Sequence, residues 1–269
     1  MTNSSNSKFN SLLNILKQME SAVLAYSGGV DSTLLLKSIH LSGIRSLAVT
    51  GVSETMPEHD LLFAKKMISY VGITHRIIKT DELSNERFAG NPVNRCFFCK
   101  EELFGKIKEI ADNEGYKFIL DGTNSDDISD WRPGREAALK AGVRSPLLEA
   151  GLSKKEIREI SRYLDLPACD RPSSPCLASR FPYGERITAD ALDKVKKSED
   201  LLRGLGFREF RVRHHGDSAR IELKEEDIGK ILLPGVRETV IKKLKSIGYR
   251  FISLDLEGFR SGKMNEGIK

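Results

Sequence analysis

Long apolar runs are absent from this chain of 269 residues. No stretch approaches the roughly 20 apolar residues that a membrane-spanning helix needs. The opening segment, MTNSSNSKFN, has neither the charged nor the apolar region of a secretory signal, so we expect a cytoplasmic protein without a membrane partner. Hydrophobic residues make up 39% of the chain and charged residues 30%, which excludes a disordered or collagen-like protein.

A strong excess of charge is also missing. Lys and Arg number 43 against 38 Asp and Glu, a formal net charge of +5. The whole excess lies in residues 186–269, where 19 basic side chains oppose 14 acidic ones. A nucleic-acid-binding protein usually has a denser basic stripe, so we expect no nucleic-acid partner. The excess fits a phosphorylated small ligand or solvated helix faces.

Apolar segments of strand length alternate with amphipathic segments of helix length in the first part of the chain. This alternation predicts an α/β fold with a doubly wound, Rossmann-like parallel sheet. Among the predicted helices, residues 153–164 open with a Ser-x-x-Glu capping box. The predicted strands are residues 21–26, 44–50, 74–79 and 117–121.

The pattern breaks in residues 166–182, which hold four prolines and two cysteines. We place a domain boundary just after this stretch, with a first domain at 1–185. Residues 186–269 then form a small α+β domain for substrate binding or oligomerisation, with predicted strands around the turn at Gly216.

The string SGGVDS at 27–32 joins the first predicted strand to a helix. Two glycines permit a sharp turn, and the backbone N–H groups at a helix start favour an anion, so a phosphate-type ligand is expected. The Walker A pattern is absent, because the loop is shorter and has no lysine that could reach a γ-phosphate. The dinucleotide pattern G-x-G-x-x-G is absent too.

A strand followed by SGGVDS resembles the PP-loop of the N-type ATP pyrophosphatases, which include GMP synthetase, NAD synthetase, asparagine synthetase and the tRNA thiolases. The resemblance implies that ATP is cleaved between its α and β phosphates and that AMP is transferred to a substrate oxygen. It implies that Asp31 helps to place Mg²⁺. The loop residues implied to bind the nucleotide are Ser27, Gly28, Gly29, Asp31 and Ser32.

LDGTNSDD at 120–127 resembles the second nucleotide-contacting segment of these enzymes. Its Asp121 and Gly122 end a predicted strand, and open α/β sheets bind ligands at the carboxyl ends of their strands. A simple turn would explain the composition of the segment equally well, but not its position.

The four cysteines are Cys96, Cys99, Cys169 and Cys176. Cys96 and Cys99 directly precede a helix predicted at 100–113, where the helix N-terminus and nearby basic residues favour thiolates. Three interpretations remain open on these residues alone: a zinc site completed by Cys169, a redox pair, or an iron–sulfur cluster held by three cysteines.

Three further segments carry a more specific resemblance: PCLASRFPYGERIT at 175–188, DWRPGREAA at 130–138 and LDLEGFRSGKMN at 254–265. They resemble the LarE family, the sulfur transferases that build the nickel-pincer nucleotide cofactor of lactate racemase. The resemblance implies adenylylation of a carboxylate of pyridinium-3,5-biscarboxylic acid mononucleotide, followed by replacement of its oxygen by sulfur. Cys176, Asp31 and Arg180 would be the catalytic residues.

One departure from the family pattern concerns the cysteines. The sacrificial members use one cysteine, which loses its sulfur and ends as dehydroalanine, whereas this chain also has Cys96 and Cys99. It is more similar to the three-cysteine subgroup, which implies a [4Fe-4S] cluster held by Cys96, Cys99 and Cys176. The alternatives are sacrificial use of the Cys176 sulfur, a tRNA thiolase, and a non-catalytic nucleotide- or metal-binding protein. The sulfur donor is not identified, and a homo-oligomer is expected because family members assemble.

Arginines in the second domain are candidates for binding the substrate phosphate. Arg211 and Arg213 alternate along a predicted strand, so both project from one face, although charge runs are often solvated. We also select Arg220. The positions that match the phosphate-lining residues of the LarE family are Ser179, Arg180, Glu199, Arg211, Arg213 and Glu222.

Overall fold

The computed structural model describes residues 1–128, 133–172, 174–260 and 263. The chain forms two compact units, Met1–Glu82 with Asn94–Ser174, and Leu83–Val93 with Pro175–Lys269. Two segments that the sequence analysis assigned to the first domain, residues 83–93 and 175–185, therefore group with the second unit. Backbone hydrogen bonds from Gly184 to Asn91 and from Ile187 to Ala89 join these segments, at 2.9 and 2.8 Å.

The elements of the described residues are numbered in chain order. The helices are α1 (Asn3–Lys17), α2 (Val30–Ser42), α3 (Glu58–Val71), α4 (Glu86–Ala89), α5 (Arg95–Glu114), α6 (Pro133–Lys140), α7 (Pro146–Glu149), α8 (Lys154–Tyr163), α9 (Ala189–Gly204), α10 (Glu225–Leu232) and α11 (Pro234–Ile247). Short 3₁₀ helices are Glu82–Ser84, Ser125–Ile128 and Leu177–Arg180. The strands are β1 (Ser21–Ala25), β2 (Arg45–Val52), β3 (His75–Lys79), β4 (Phe118–Leu120), β5 (Phe210–His215), β6 (Ser218–Leu223) and β7 (Phe251–Leu254).

The sheet of the first unit is parallel, in the order β3-β2-β1-β4. In the register, Val23 of β1 lies opposite Leu47 of β2 and Ile119 of β4. Parallel neighbours need crossover connections, and helices provide them between consecutive strands. Apolar clusters involve both faces of β1, which is the usual burial of a parallel sheet. The predicted α/β fold with a parallel sheet is confirmed.

The second unit has a mixed sheet in the order β5-β6-β7, with β5 and β6 antiparallel and β6 and β7 parallel. Its separate core includes Phe207, Val212, Ile221, Leu244 and Tyr249, all nearly inaccessible to solvent. Since this core shares no residue with the clusters of the first unit, the second unit has its own hydrophobic stabilisation.

Two helices differ from the sequence-based expectation. Helix α1 occupies a terminus that the sequence analysis left without structure, and it buries Phe9, Leu12 and Leu16 in the core of the first unit. Helix α5 begins at Arg95, so Cys96 and Cys99 lie inside it and not before it. The physical reason is that no glycine or proline interrupts residues 95–99, so the helix can extend back to Asn94. In the described part of the chain, no helix is long and apolar enough to span a membrane.

Helix α8 is joined to α1 by Glu156, which also forms the predicted capping box with Ser153. The Glu156 carboxylate accepts a hydrogen bond from Lys8 Nζ at 2.8 Å and one from Ser153 N at 2.9 Å. Burial tends to raise the pKa of this carboxyl group, but the hydrogen bonds from Lys8 and Ser153 outweigh burial and lower the pKa to about 2. Ionised Glu156 therefore stabilises the fold above pH 4.5, and this contribution is lost as the pH falls toward 2.

The variant Glu156→Gln should lower the free energy of unfolding by about 1–3 kcal/mol at neutral pH, because a charged acceptor is lost. The difference from the wild type should shrink below pH 4.5, the ordinary pKa of the group. Urea unfolding over a pH series measures both effects. The control Glu136→Gln removes an exposed ion pair with Lys140 and should change stability by less than about 1 kcal/mol. A Glu156→Gln difference that is independent of pH would contradict the assignment.

Candidate active site

The glycine loop connects β1 to α2 and ends at Gly29, the N-cap residue of the helix. The first helical hydrogen bond runs from Thr33 N to Gly29 O, so the backbone N–H groups of residues 30–32 precede it. Gly28 has φ +75°, and a Cβ there would lie 3.0 Å from the Ala64 Cβ. Only glycine fits this position without displacing α3, and the loop presents its amide groups at the positive end of the α2 dipole.

Two serines brace the glycine loop. The Ser27 and Ser32 hydroxyls lie 3.1 Å apart, and the Ser32 hydroxyl donates to Gly29 O at 3.1 Å. Both side chains therefore lie next to the exposed amide groups, where hydroxyls can also donate to an anion.

Asp31, in the first turn of α2, contacts two residues from distant parts of the sequence. Its Oδ1 accepts a hydrogen bond from Asn124 Nδ2 at 3.3 Å, and its Oδ2 forms an ion pair with Lys154 Nζ. Lys154 is the first residue of α8, directly after the capping residue Ser153. The tertiary structure thus brings to the loop a lysine that the loop itself lacks.

Asp121 and Gly122 follow β4 at the carboxyl edge of the sheet, as the sequence predicted. A Cβ on Gly122 would lie 3.0 Å from Ser32 N, so the backbone of this segment packs directly against the first turn of α2. The Asp121 carboxylate accepts hydrogen bonds from the Thr123 and Ser145 hydroxyls, at 2.8 and 2.7 Å. The two candidate nucleotide segments therefore lie side by side.

Cys96 and Cys99 lie three positions apart at the start of α5, so they share a side of the helix. Cys99 Sγ donates to Glu82 Oε1 at 3.4 Å, and the Thr80 hydroxyl donates to the same oxygen at 3.1 Å. Glu82 is buried, and its Oε2 has no hydrogen-bond partner. The Cys99 thiol thus contacts a buried carboxylate near the start of α5.

The other two cysteines differ from each other. Burial and a hydrogen bond to Asp170 raise the pKa of the Cys169 thiol, which disfavours its reactive thiolate form. Cys176 belongs to the second unit, where it directly precedes the 3₁₀ helix Leu177–Arg180. All four cysteines are free thiols. Among the described residues, no three His, Cys, Asp or Glu side chains are close enough together to bind a metal.

Arg180 holds the segment that contains Cys176. Its guanidinium forms a buried, two-pronged ion pair with Glu199 of α9, with Nε–Oε1 at 2.8 Å and Nη2–Oε2 at 3.0 Å. The remaining nitrogen, Nη1, donates to Pro175 O at 3.0 Å and to the Ser179 hydroxyl at 2.8 Å. Ser179 in turn donates to Cys176 O at 2.8 Å. Hydrogen bonds to the main-chain oxygens of Pro175 and Cys176 therefore hold the backbone at this cysteine.

A second buried pair lies on the β5–β6 hairpin. Arg213 Nε and Nη2 donate to the two oxygens of Glu222, both at 2.9 Å. Arg213 Nη1 donates to Ser179 O at 2.6 Å, which connects the hairpin to the Cys176 segment. Arg220 is half exposed and lies within salt-bridge distance of Asp255, at 3.4 Å, and of Glu222, at 3.7 Å. It is less closely associated with this group than Arg213 is.

Arg211 is the exception in this group. It is only 7% exposed, yet within the described residues its guanidinium has no hydrogen-bond or ion-pair partner. Its Cζ lies 4.8 Å from the centre of the Phe259 ring. Burial, followed by the positive charges of Arg213 and Arg180, lowers the pKa of Arg211 to about 10. Three buried guanidinium groups and two buried carboxylates leave one positive charge uncompensated, and such a charge favours an anion.

The six candidate residues for the substrate phosphate thus come together in the second unit with Cys176. Lys154 and Asn124 were missed by the sequence analysis. Asn124 belongs to the LDGTNSDD segment and Lys154 follows the capping residue Ser153, but nothing in the sequence indicates that either side chain contacts Asp31. Parts of two segments that carry the family resemblance, residues 130–132 and 261–262, lie outside the described residues, as do residues 264 and 265.

The two buried ion pairs, Arg180–Glu199 and Arg213–Glu222, should contribute to the free energy of unfolding. Glu222→Gln should lower the free energy of unfolding by about 3–5 kcal/mol, because it leaves Arg213 buried without its counter-charge beside Arg211. The control Asp200→Asn removes an exposed pair with Arg203 and should cost less than about 1 kcal/mol. Chemical denaturation of both variants measures the difference. Equal effects of the two substitutions would refute the proposed charge balance.

Similar proteins cover nearly the whole chain. An uncharacterised protein of Synechocystis sp. is 42% identical over 260 residues, 96% of this chain and 97% of the relative. Pyridinium-3,5-bisthiocarboxylic acid mononucleotide synthase of Lactiplantibacillus plantarum is 36% identical over 96% of this chain and 93% of that protein. An uncharacterised protein of Methanocaldococcus jannaschii is 32% identical over 89% and 90% of the two chains.

No protein-family model matches the chain. The similarity to the Lactiplantibacillus plantarum synthase nevertheless covers 96% of the chain and so extends into both units. The chain therefore belongs to the family of pyridinium-3,5-bisthiocarboxylic acid mononucleotide synthases, the LarE family, and is an enzyme.

Proposed function

We propose that this enzyme uses ATP to replace a carboxylate oxygen of pyridinium-3,5-biscarboxylic acid mononucleotide by sulfur. The observation that carries the proposal is Arg211, a buried guanidinium without a partner among the described residues, in the cluster that also holds the Cys176 segment. A substrate phosphate would supply the missing negative charge. The Lactiplantibacillus plantarum relative is a synthase of a pyridinium mononucleotide, which supports a mononucleotide substrate for this enzyme.

The glycine loop would bind ATP. Its exposed amide groups, with the Ser27 and Ser32 hydroxyls, offer donors to phosphate oxygens at a helix N-terminus. Asp31 would hold Mg²⁺, and its carboxylate would then no longer require Lys154 as its counter-ion. Released from that pair, the Lys154 ammonium group could reach a phosphate oxygen and take the part that a lysine plays in other phosphate-binding loops.

The proposed reaction has two steps, adenylylation and sulfur transfer. A substrate carboxylate oxygen attacks the α-phosphorus of ATP, the bond between the α and β phosphates breaks, and pyrophosphate leaves. A sulfide nucleophile then attacks the acyl carbon of the adenylate, the acyl C–O bond breaks, and AMP leaves with its electron pair. A second round on the other carboxylate gives the dithio product. No electrons are gained or lost by the substrate in either step.

The cluster around Arg211 would have two tasks. Arg211 would bind the phosphate. Arg180 already donates hydrogen bonds to Glu199 and to a main-chain oxygen, and Arg213 donates likewise to Glu222 and to a main-chain oxygen. Those two arginines therefore organise the Cys176 segment, with Ser179 between them. This division follows from the number of donors that each guanidinium has left.

We further propose that Cys96, Cys99 and Cys176 hold a [4Fe-4S] cluster. The arrangement of the donors supports this: Cys96 and Cys99 share one side of the first turns of α5, as two ligands of one cluster would, and the backbone at Cys176 is held by a hydrogen bond from Ser179. Such a cluster, when bound, supplies a sulfide on the iron that no cysteine holds. The other route in the same reaction is sacrifice of the Cys176 sulfur.

The direct test is to purify the protein without oxygen, then supply ATP, Mg²⁺, sulfide and the dicarboxylate mononucleotide. We expect AMP, pyrophosphate and a thiocarboxylate, with more than one product per enzyme. Iron and acid-labile sulfide should be present in near-equal amounts. A single turnover that leaves the protein lighter by the mass of hydrogen sulfide would establish the sacrificial route instead. If the enzyme released no pyrophosphate with this substrate, the proposed function would be refuted.

Cysteine variants separate the thiols. Cys176→Ser should abolish thiocarboxylate formation and reduce iron content, whereas Cys169→Ser should retain both, because Cys169 is outside the proposed ligand set. Mass spectrometry of the product and iron analysis of the purified variants measure these effects. Full activity of Cys176→Ser would contradict both routes of sulfur transfer.

Arg211 variants test the phosphate site. Arg211→Met should raise the KM for the mononucleotide by about tenfold to a hundredfold, since a charged hydrogen bond contributes about 1.5–3 kcal/mol, and leave the KM for ATP unchanged. Arg208→Met, which removes an exposed arginine near the same strand, is the matched control. An equal change in both KM values for Arg211→Met would argue against a phosphate site specific to the mononucleotide.

A further inference from the structure

A partly buried arginine of the first unit, Arg171, joins the glycine loop to the segment that leads into Cys176. Arg171 Nη1 donates to Gly28 O at 3.1 Å, and Nη2 forms an ion pair with the Asp60 carboxylate. The guanidinium lies over the Phe63 ring, with its Cζ 4.0 Å from the ring centre. One side chain thus contacts the glycine loop and two residues of α3.

Asp60 connects the same arginine to Ser174. The Asp60 carboxylate is 8% exposed, and its Oδ2 accepts a hydrogen bond from Ser174 Oγ at 2.7 Å while Oδ1 contacts Arg171. Arg158 of α8 donates to the main-chain oxygen of Arg171 at 3.0 Å and also donates to Cys169 O. Hydrogen bonds therefore hold this segment at residues 169, 171 and 174. The last of these, Ser174, lies two positions before Cys176.

The contact with the glycine loop is equally constrained. Gly28 has a left-handed backbone, and a Cβ there would lie 3.0 Å from the Ala64 Cβ, so the loop backbone packs directly against α3. The peptide groups of this loop offer their N–H side to an anion and Gly28 O to Arg171. A shift of the Gly28 peptide group on nucleotide binding would therefore reach Arg171 through this hydrogen bond.

We propose that Arg171 is a positioning residue that couples the occupancy of the glycine loop to the position of the Cys176 segment. This inference rests on the proposed function, in which ATP binds at the loop and sulfur delivery depends on Cys176. The planar guanidinium can donate to Gly28 O and to Asp60 simultaneously, along different directions. A lysine has one compact charged group and cannot reproduce both contacts from one position.

The first test compares pyrophosphate released with thiocarboxylate formed. In the wild type the ratio should be near one, because each adenylate receives sulfur. In Arg171→Met and Arg171→Lys the ratio should rise about tenfold, since the adenylate forms but is hydrolysed by water when the Cys176 segment is misplaced. The control Arg162→Met removes an exposed pair with Asp170 from the same region and should keep the wild-type ratio. An unchanged ratio in both Arg171 variants would overturn the proposal.

The second test does not require turnover. Alkylation of Cys176 by iodoacetamide is measured by mass spectrometry on iron-free protein, in which the Cys176 thiol is free, with and without a non-hydrolysable ATP analogue. The analogue should change the alkylation rate in the wild type and in Arg162→Met, and it should have no effect in Arg171→Met. The same response in Arg171→Met as in the wild type would overturn the coupling. So would the absence of a response in the wild type.

The two tests can fail independently, so they separate the proposed sulfur transfer from the proposed coupling through Arg171. If the wild type forms no thiocarboxylate, the proposed function fails, and the alkylation experiment alone decides the coupling. Asp60→Asn keeps the side-chain volume but removes the charge that holds Arg171 and Ser174 together, so it should reproduce the effects of Arg171→Met. It also serves as the second variant if Arg171→Met does not fold. Wild-type behaviour of Asp60→Asn in both experiments would contradict the shared role of the carboxylate.

Discussion

Parallel pairing of β1 with β2 and with β4 is the constraint on which the first unit depends. Because parallel strands end at the same edge of a sheet, the glycine loop after β1 and the segment after β4 must meet there. Gly122 permits their approach, since a side chain at that position would collide with Ser32 N. Asp31 can then contact both Asn124 and Lys154, so one edge of the sheet collects the groups suited to a phosphate ligand and its metal ion.

The second unit depends on antiparallel pairing and on charge. Pairing of β5 with β6 places Arg211 opposite Glu222, and the two-residue period of a strand places Arg213 on the same face. Burying charged groups is costly unless they are paired, and two of the three buried arginines are paired with glutamates. The third, Arg211, retains an uncompensated charge, which a bound anion would neutralise. The cost of this burial is a reason to regard the position as functional.

Several features were predictable because their signals are local. The strand, glycine turn and helix around residues 27–32 follow from composition and periodicity, and the capping box at Ser153 follows from side-chain spacing. Helix α1 was missed because its polar residues dominate the pattern, and its burial depends on partners in α2 and α8. The start of α5 was placed too late, because a C-x-x-C pair is compatible with a loop or with a helix.

The amino-acid pattern alone was enough to predict the α/β class, the glycine loop between the first strand and helix, and the alternation of arginines along one strand. The pairing of the charges could be assigned only from the packed structure. That structure assigned Glu199 to Arg180 and Glu222 to Arg213, left Arg211 without a partner in the described residues, and brought Lys154 to Asp31. The physical reason is that ion pairing depends on distances between side chains far apart in the chain, and those distances exist only after the strands and helices have packed.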